Sequence, residues 1–175
     1  MYSDTVNVFQ ETLRVLKQPP LVDVAEWADK YRVLDSTSSK KVGKFETAFT
    51  KYMVEIYKEI TKGDTKQFSL MMASQLAKSE LIINIILRYI HLDPCPMLIV
   101  QPTDEMARSF SKERLQPAIN NCIVRTLVQD ANKKDSGNTV THKMFAGGFS
   151  ALVGPSPAKL AARPIRLLFL DELLR

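Results

Sequence analysis

An α/β fold, with a mainly parallel sheet flanked by helices and an N-terminal helical extension, is predicted by three features of the sequence. The first is an apolar run, Gln67-Phe68-Ser69-Leu70-Met71-Met72, followed by a loop and then by the strongly apolar stretch Glu80 to Leu92. That order reads as a short buried strand, a turn and a helix. The second is Pro96-Met97-Leu98-Ile99-Val100-Gln101-Pro102 running into Thr103, with Asp104 and Glu105 just after it. This is a strand followed by a capped helix with acids in its first turn. The third is Leu167-Leu168-Phe169-Leu170, ending in Asp171-Glu172. A run apolar at every position is what a central parallel strand buried on both faces looks like. Strands alternating with helices at these lengths make parallel βαβ units with right-handed crossovers.

The loop between the first strand and its helix carries the chemistry. In the phosphate-binding pattern G-x-x-x-x-G-K-[ST], backbone N–H groups cradle the phosphates, the lysine reaches the β- and γ-phosphates, and the hydroxyl ligates Mg²⁺. Lys78 and Ser79 stand at the lysine and hydroxyl positions, while Met72 and Ala77 replace the two glycines. Gln75, Leu76, Ala77, Lys78, Ser79 and Glu80 therefore form the expected nucleotide-binding segment, with the helix N-terminus behind it. Ala77 is expected to weaken binding without abolishing it, and its glycine variant to bind Mg·ATP about tenfold tighter. The acids after Leu170 suit the complementary roles: Asp171 holds Mg²⁺ and Glu172 polarises the attacking water. Taken singly, the loop also reads as an ordinary helix start and the acids as a solvated strand end. Together they favour a nucleotide hydrolase of the P-loop NTPase type, using ATP and Mg²⁺.

Composition is ordinary for a globular domain. Of 175 residues, 45% are hydrophobic and 25% charged, which argues against extended disorder. The length suits one α/β unit, read as a helical extension and linker over residues 1–44 and a partial P-loop ATPase domain over 45–175. A net charge of +5 is compatible with a polyanionic partner and does not identify one. Cys95 and Cys122 lack C-x-x-C spacing, and His91 and His142 lie near no ligand cluster. Neither a zinc site nor a disulfide framework is expected, which fits a reducing cytoplasm. Met1 to Asp4 does not open a secretory signal, and Leu81 to Leu87 is far short of the roughly 20 apolar residues of a membrane span. A soluble protein with no membrane partner is expected.

The remaining elements follow from periodicity and punctuation. Val6, Phe9, Leu13 and Leu16 predict an amphipathic helix over about 4–17, stopped by Pro19-Pro20. Asp23 caps a second helix through Trp27 to Tyr31, in which the Trp reads as core. Val33 to Lys44 reads as a polar loop. Thr47 to Lys62 reads as one helix with Phe49, Met53, Ile56, Tyr57 and Ile60 facing inward and Gly63 as its cap. Lys112 and Arg114 stand two apart on a helix, so at most one can face a site, and surface charge is the simpler reading for both. Asp130 to Asn138 is a polar loop before a hairpin of Thr139 to Phe145 and Phe149 to Val153 turning at Gly147-Gly148. A short helix near Ala158 to Ala162 leads to the acidic strand.

This order of segments resembles the ATPase domain of the large terminase subunit of tailed bacteriophages, in its lambda-like branch. The resemblance runs from about Ala25-Glu26-Trp27-Ala28-Asp29 to Glu172. Its most specific pieces are Gln75-Leu76-Ala77-Lys78-Ser79-Glu80, Val100-Gln101-Pro102-Thr103 with Phe110-Ser111-Lys112-Glu113-Arg114-Leu115, and Ser156 to Pro164 leading to Asp171-Glu172. It implies an ATP-driven motor that moves double-stranded viral DNA into a procapsid. It further implies a small terminase subunit, the portal and further copies of the large subunit as partners, in the host cytoplasm. The family has glycine where this chain has Ala77, and usually a Pro-Tyr pair where it has Lys51-Tyr52. The chain stops three residues after Glu172, so the rest of the sheet, the γ-phosphate-sensing coupling motif and the nuclease domain are expected to be missing. Two rival readings are a catalytically dead remnant with the same fold and a helicase-like ATPase, which would need a second motor domain.

Overall fold

Asp23 opens the first described helix: its carboxylate accepts from the Glu26 N–H at 2.7 Å and caps α1, Val24–Tyr31. The computed structural model describes residues 21–36, 42–73, 75–128, 138–161 and 164–172. The helix expected over 4–17 and most of the Asp130 to Asn138 loop lie outside the described residues. α1 buries Val24, Ala25, Trp27 and Ala28 along one stripe. Trp27 is core as expected, and its Nε1 donates to His91 Nδ1 at 3.0 Å, which satisfies the indole without water.

The polar loop expected from Val33 to Lys44 needs a correction at both ends. β1 (Val33–Leu34) and β2 (Gly43–Lys44) pair as a short antiparallel ladder. Thr47 to Lys62 is likewise two elements: a 3₁₀ turn over Thr47–Met53, and α2 over Val54–Lys62. The break is at Thr50 (φ −127°, ψ 51°). Three residues per turn rotate Phe49 off the inner face, leaving it 66% exposed, whereas Met53 and Tyr57 are buried. Gly63 ends α2 in the left-handed conformation, φ 75°.

The apolar run Gln67 to Met72 does not form the expected strand. Phe68, Leu70 and Met71 are exposed, and the run belongs to neither described sheet. A strand exists only where a neighbour accepts its ladder hydrogen bonds, and here none is paired to it. The helix after it is as expected: α3, Lys78–Leu92, is buried on nearly all sides through Leu81, Ile83, Ile85, Ile86, Leu87 and Ile90. Such a helix stands at the centre of a core, with each large aliphatic contributing about 1.5–3 kcal/mol.

Four strands form the main sheet: β3 (Met97–Val100), β4 (His142–Phe145), β5 (Gly148–Val153) and β6 (Leu167–Leu170). Their order is β4-β5-β3-β6, with β3 parallel to both β5 and β6, and β4–β5 the expected antiparallel hairpin. Gly148 is fixed by close approach, since a Cβ there would stand 2.5 Å from the Cys95 carbonyl carbon. The strand buried on both faces is β3, not β6. β6 is at the edge, with Leu168 and Leu170 55% and 58% exposed, because no described strand flanks its outer side.

After β3 the chain runs through α4 (Asp104–Phe110), a π-helical turn over Ser111–Leu115 and α5 (Gln116–Asn120). Thr103 caps α4 as expected, accepting from the Met106 N–H at 3.1 Å. α6 (Pro157–Leu160) lies between β5 and β6. Met97 and Ile99 of β3 share one core with residues of α1, α3, α4 and α5, and Phe169 of β6 packs against it. The result is mixed α/β, a mainly parallel sheet with helices packed on it. No described helix is long and apolar enough to cross a membrane.

Candidate functional site

The parallel register of the sheet brings two polar side chains together. Val100 pairs with Leu170, so the residues that follow, Gln101 and Asp171, leave the sheet side by side. Backbone bonds extend the ladder one step further, from Asp171 N to the Val100 carbonyl at 3.0 Å and from Gln101 N to the Val153 carbonyl at 2.9 Å. Gln101, only 4% exposed, then donates from Nε2 to Asp171 Oδ2 at 2.9 Å. This is the carboxyl end of the parallel strands, where open α/β sheets hold ligands.

The N-terminus of α3 points at the same place. Lys78 and Ser79, its first two residues, share a cleft with Gln101, Asp171 and Glu172. Lys78 Nζ lies 2.8 Å from Glu172 Oε1. The N-cap of α3 is Ala77, which offers no side-chain acceptor, so the first-turn N–H groups lack the partner that Asp23 and Thr103 give their helices. An uncapped helix of 15 residues beside a lysine and a hydroxyl suits an anionic ligand. The far wall comes from α4 and the π-helical turn, through Met106, Ser109, Phe110, Glu113 and Arg114.

Backbone strain is concentrated here. Among the described residues, the non-glycine positions with positive φ are Gln75 (63°), Ala77 (56°) and Glu172 (50°). All three are residues that the sequence placed in the site. Left-handed backbone costs an L-residue roughly 1–2 kcal/mol, so its appearance at both edges of one cleft marks a geometry held by the surrounding fold. Part of that hold is visible: Met72 and Ala77, the two residues at glycine positions, pack against the cluster of Val24, Met53, Tyr57, Leu81 and Ile85.

Glu80 points elsewhere. Its Oε2 accepts from Arg32 Nη2 at 2.5 Å, and Arg32 is 2% exposed. The carboxylate is thus committed to a buried ion pair that ties α3 to the end of α1, and it does not line the cleft. Gln75, Leu76 and Ala77 precede the two cleft-lining residues Lys78 and Ser79 in the loop and are not among the lining residues themselves, while Ser74 lies outside the described residues. A second ion pair braces the far wall: Asp104 accepts from the Gly154 N–H at 2.8 Å and pairs with Lys159. Lys159 and that N–H hold the Asp104 carboxyl below its ordinary range.

Among the described residues no group of three or more His, Cys, Asp or Glu forms a metal cage. Mg²⁺ takes one or two protein oxygens and keeps waters and phosphate oxygens for the rest, so Asp171, oriented by Gln101, and the Ser79 hydroxyl fit it. Cys95 and Cys122 are free and buried. Burial pushes the Cys95 thiol up to about 11.

The sequence reading did not assign Gln101, Glu113 or Arg114 to the site. Gln101 had a signal, being the polar residue that closes an apolar strand at the end where ligands bind. Arg114 had been read as surface charge, and its place in the cleft follows from the π-helical turn, which periodicity does not reveal.

Residues 39–175 match the family described as phage terminase large subunit gpA, ATPase domain. The chain is 26% identical over 157 residues to the large terminase subunit of Enterobacteria phage P21, covering 88% of this chain and 24% of that protein. It is 25% identical over 164 residues to the large terminase subunit of Escherichia phage lambda, covering 92% of this chain and 25% of that protein. The chain thus spans about a quarter of the length of these relatives. No solved structure matches it significantly. With the family match spanning the loop, the three parallel strands and the acidic end of β6, the chain belongs to the gpA-type ATPase domains of phage terminase large subunits.

Proposed function

We propose that the cleft binds Mg·ATP and that its hydrolysis drives packaging of double-stranded viral DNA when this segment works within a complete large subunit. The observation that carries the reading is the convergence of Lys78, Ser79, Asp171 and Glu172 on one cleft at the carboxyl end of the parallel strands. In this reading the backbone N–H groups of Gln75 to Ser79 hold the phosphates, and Lys78 swings from Glu172 to the β- and γ-phosphates. Ser79 and Asp171 hold Mg²⁺, with Gln101 fixing the carboxylate. Mg²⁺ would neutralise charge on the β- and γ-phosphate oxygens. Glu172, freed from Lys78, orients the attacking water. The small subunit, the portal of the procapsid and neighbouring large subunits are the partners this role requires, in the host cytoplasm.

Two observations favour a second reading, a nucleotide-free module that keeps the fold. Glu172 already neutralises Lys78, and the described run Gln67 to Met72 directly before the loop is not a strand. Calorimetric titration of the protein with Mg·ATP separates the two. Saturable binding below millimolar nucleotide supports the ATPase reading, and no heat of binding at several millimolar supports the other.

A further inference from the structure

The cleft has two cations, and they are not equivalent. Lys78 is held 2.8 Å from Glu172 on the loop side. Arg114 lines the cleft from a different element, the turn that follows α4, is exposed, and makes no ion pair or hydrogen bond among the described residues. Its position comes from a local irregularity. α4 continues into α5 through a π-helical turn, in which the Gln116 N–H reaches back to the Ser111 carbonyl. The wider turn changes the face that its residues present, and Glu113 and Arg114 line the cleft whereas Lys112 does not. Such turns inside helices recur at functional sites because they re-aim side chains at a cost in helix regularity. The turn is fixed in place on its other sides: Ser111 and Leu115 are buried, and the Ser111 hydroxyl donates to the Val140 carbonyl.

A guanidinium that lines the same cleft as Lys78 and Ser79, and that makes no ion pair among the described residues, has a natural ligand. Resting on the nucleotide-binding reading above, we propose that Arg114 is the chain's own contact to the terminal phosphate of the bound nucleoside triphosphate and makes the cleft distinguish triphosphate from diphosphate. The loop N–H groups and Lys78 approach from the α3 side. The phosphate furthest along the chain from the loop is the one that projects toward the π-helical turn. Arginine suits that position because its planar fork donates two parallel hydrogen bonds to phosphate oxygens and stays charged at every working pH. A diphosphate does not extend that far and leaves Arg114 in solvent.

The test compares Mg·ATP and Mg·ADP dissociation constants for the wild-type protein, Arg114→Ala, Arg114→Lys and Lys112→Ala. Removing a charge-assisted pair of hydrogen bonds should weaken ATP binding by at least about tenfold in Arg114→Ala while ADP binding stays within about twofold. Arg114→Lys should recover part of the loss, and Lys112→Ala should match wild type for both nucleotides. If Arg114→Ala binds ATP as wild type does, or weakens ATP and ADP by the same factor, the assignment of Arg114 is overturned and the nucleotide site stands. If the wild-type protein binds neither nucleotide at millimolar concentration, the nucleotide-binding reading falls and Arg114 falls with it.

Discussion

Lys78 Nζ and Glu172 Oε1 stand 2.8 Å apart across the cleft, so the lysine proposed to bind phosphate is held by the acid proposed to orient water. The two side chains are 27% and 37% exposed, which puts the pair among solvent-screened bridges worth about 0–1 kcal/mol. A phosphate chain can therefore displace Glu172 at little cost. In the proposed reading, nucleotide binding would draw Lys78 away from Glu172 and leave that carboxylate to orient the water.

Glu172→Gln keeps the shape and removes the charge. It should tighten Mg·ATP binding by up to about fivefold, because Lys78 no longer has a competing partner, and should remove turnover. Binding and single-turnover hydrolysis measured on both proteins check this. Hydrolysis by the variant at the wild-type rate would show that Glu172 does not orient the water.

Gln101 is the positioning residue for Asp171. With the Nε2 donor at 2.9 Å from Oδ2, one oxygen of this cleft-lining carboxylate is engaged. Gln101→Leu preserves volume and deletes the donor. The Mg²⁺ concentration needed for half-maximal ATP binding should rise by about tenfold, while nucleotide binding without Mg²⁺ is unchanged. A magnesium dependence identical to wild type would remove Gln101 from the site.

The sequence made the helices and the hairpin legible because their signals are local. Asp23 and Thr103 cap helices, Gly63 ends one, and Gly147-Gly148 turns one chain reversal, each through short-range chemistry. The misplaced elements depend on neighbours. Leu167 to Leu170 and Gln67 to Met72 have the composition of central strands, but a strand's place is set by what pairs with its edges, and that is not written in its own residues. The same distinction holds in the cleft. Lys78, Ser79, Asp171 and Glu172, grouped in the sequence by spacing and strand ends, line one cleft. Glu80 was assigned by its place in the motif, whereas its carboxylate is engaged by Arg32, which lies 48 residues away in the chain. Arg114 reaches the cleft through a π-helical turn without periodic signature.

Ala77 separates strain from crowding. It holds φ 56° and ψ 26° as the N-cap of α3, packed by the fold, so the left-handed cost falls on folding. Its methyl packs on the cluster around Leu81 and Ile85, which offsets part of that cost. Ala77→Gly should therefore change Mg·ATP affinity by less than about threefold, against the tenfold expected if the Cβ crowds the phosphates. Ala77→Val should lose at least about tenfold, because a β-branched side chain does not sustain the left-handed conformation that shapes the loop. Titrating the three proteins decides between the accounts, and a glycine variant that binds ten times tighter would assign the deficit to crowding.

His91 gives the core a pH dependence distinct from the cleft. Its Nδ1 accepts the Trp27 indole N–H at 3.0 Å, which requires that nitrogen to be unprotonated, and burial lowers the imidazole pKa below its ordinary 6.5. Between the lowered folded value and 6.5 the unfolded chain binds more protons than the folded one, so stability rises with pH across that window. Acidification should weaken the fold from pH 6.5 downward, with the His91 contribution flattening below the folded pKa. In His91→Gln the amide oxygen can still accept from Trp27 and nothing at this position titrates. Urea-unfolding midpoints of wild type and His91→Gln, measured between pH 5 and 7.5, should converge at the upper end and separate at the lower, with wild type losing more. Parallel curves would show that His91 titrates alike in the folded and unfolded chains, and that the Trp27 bond does not depend on its protonation.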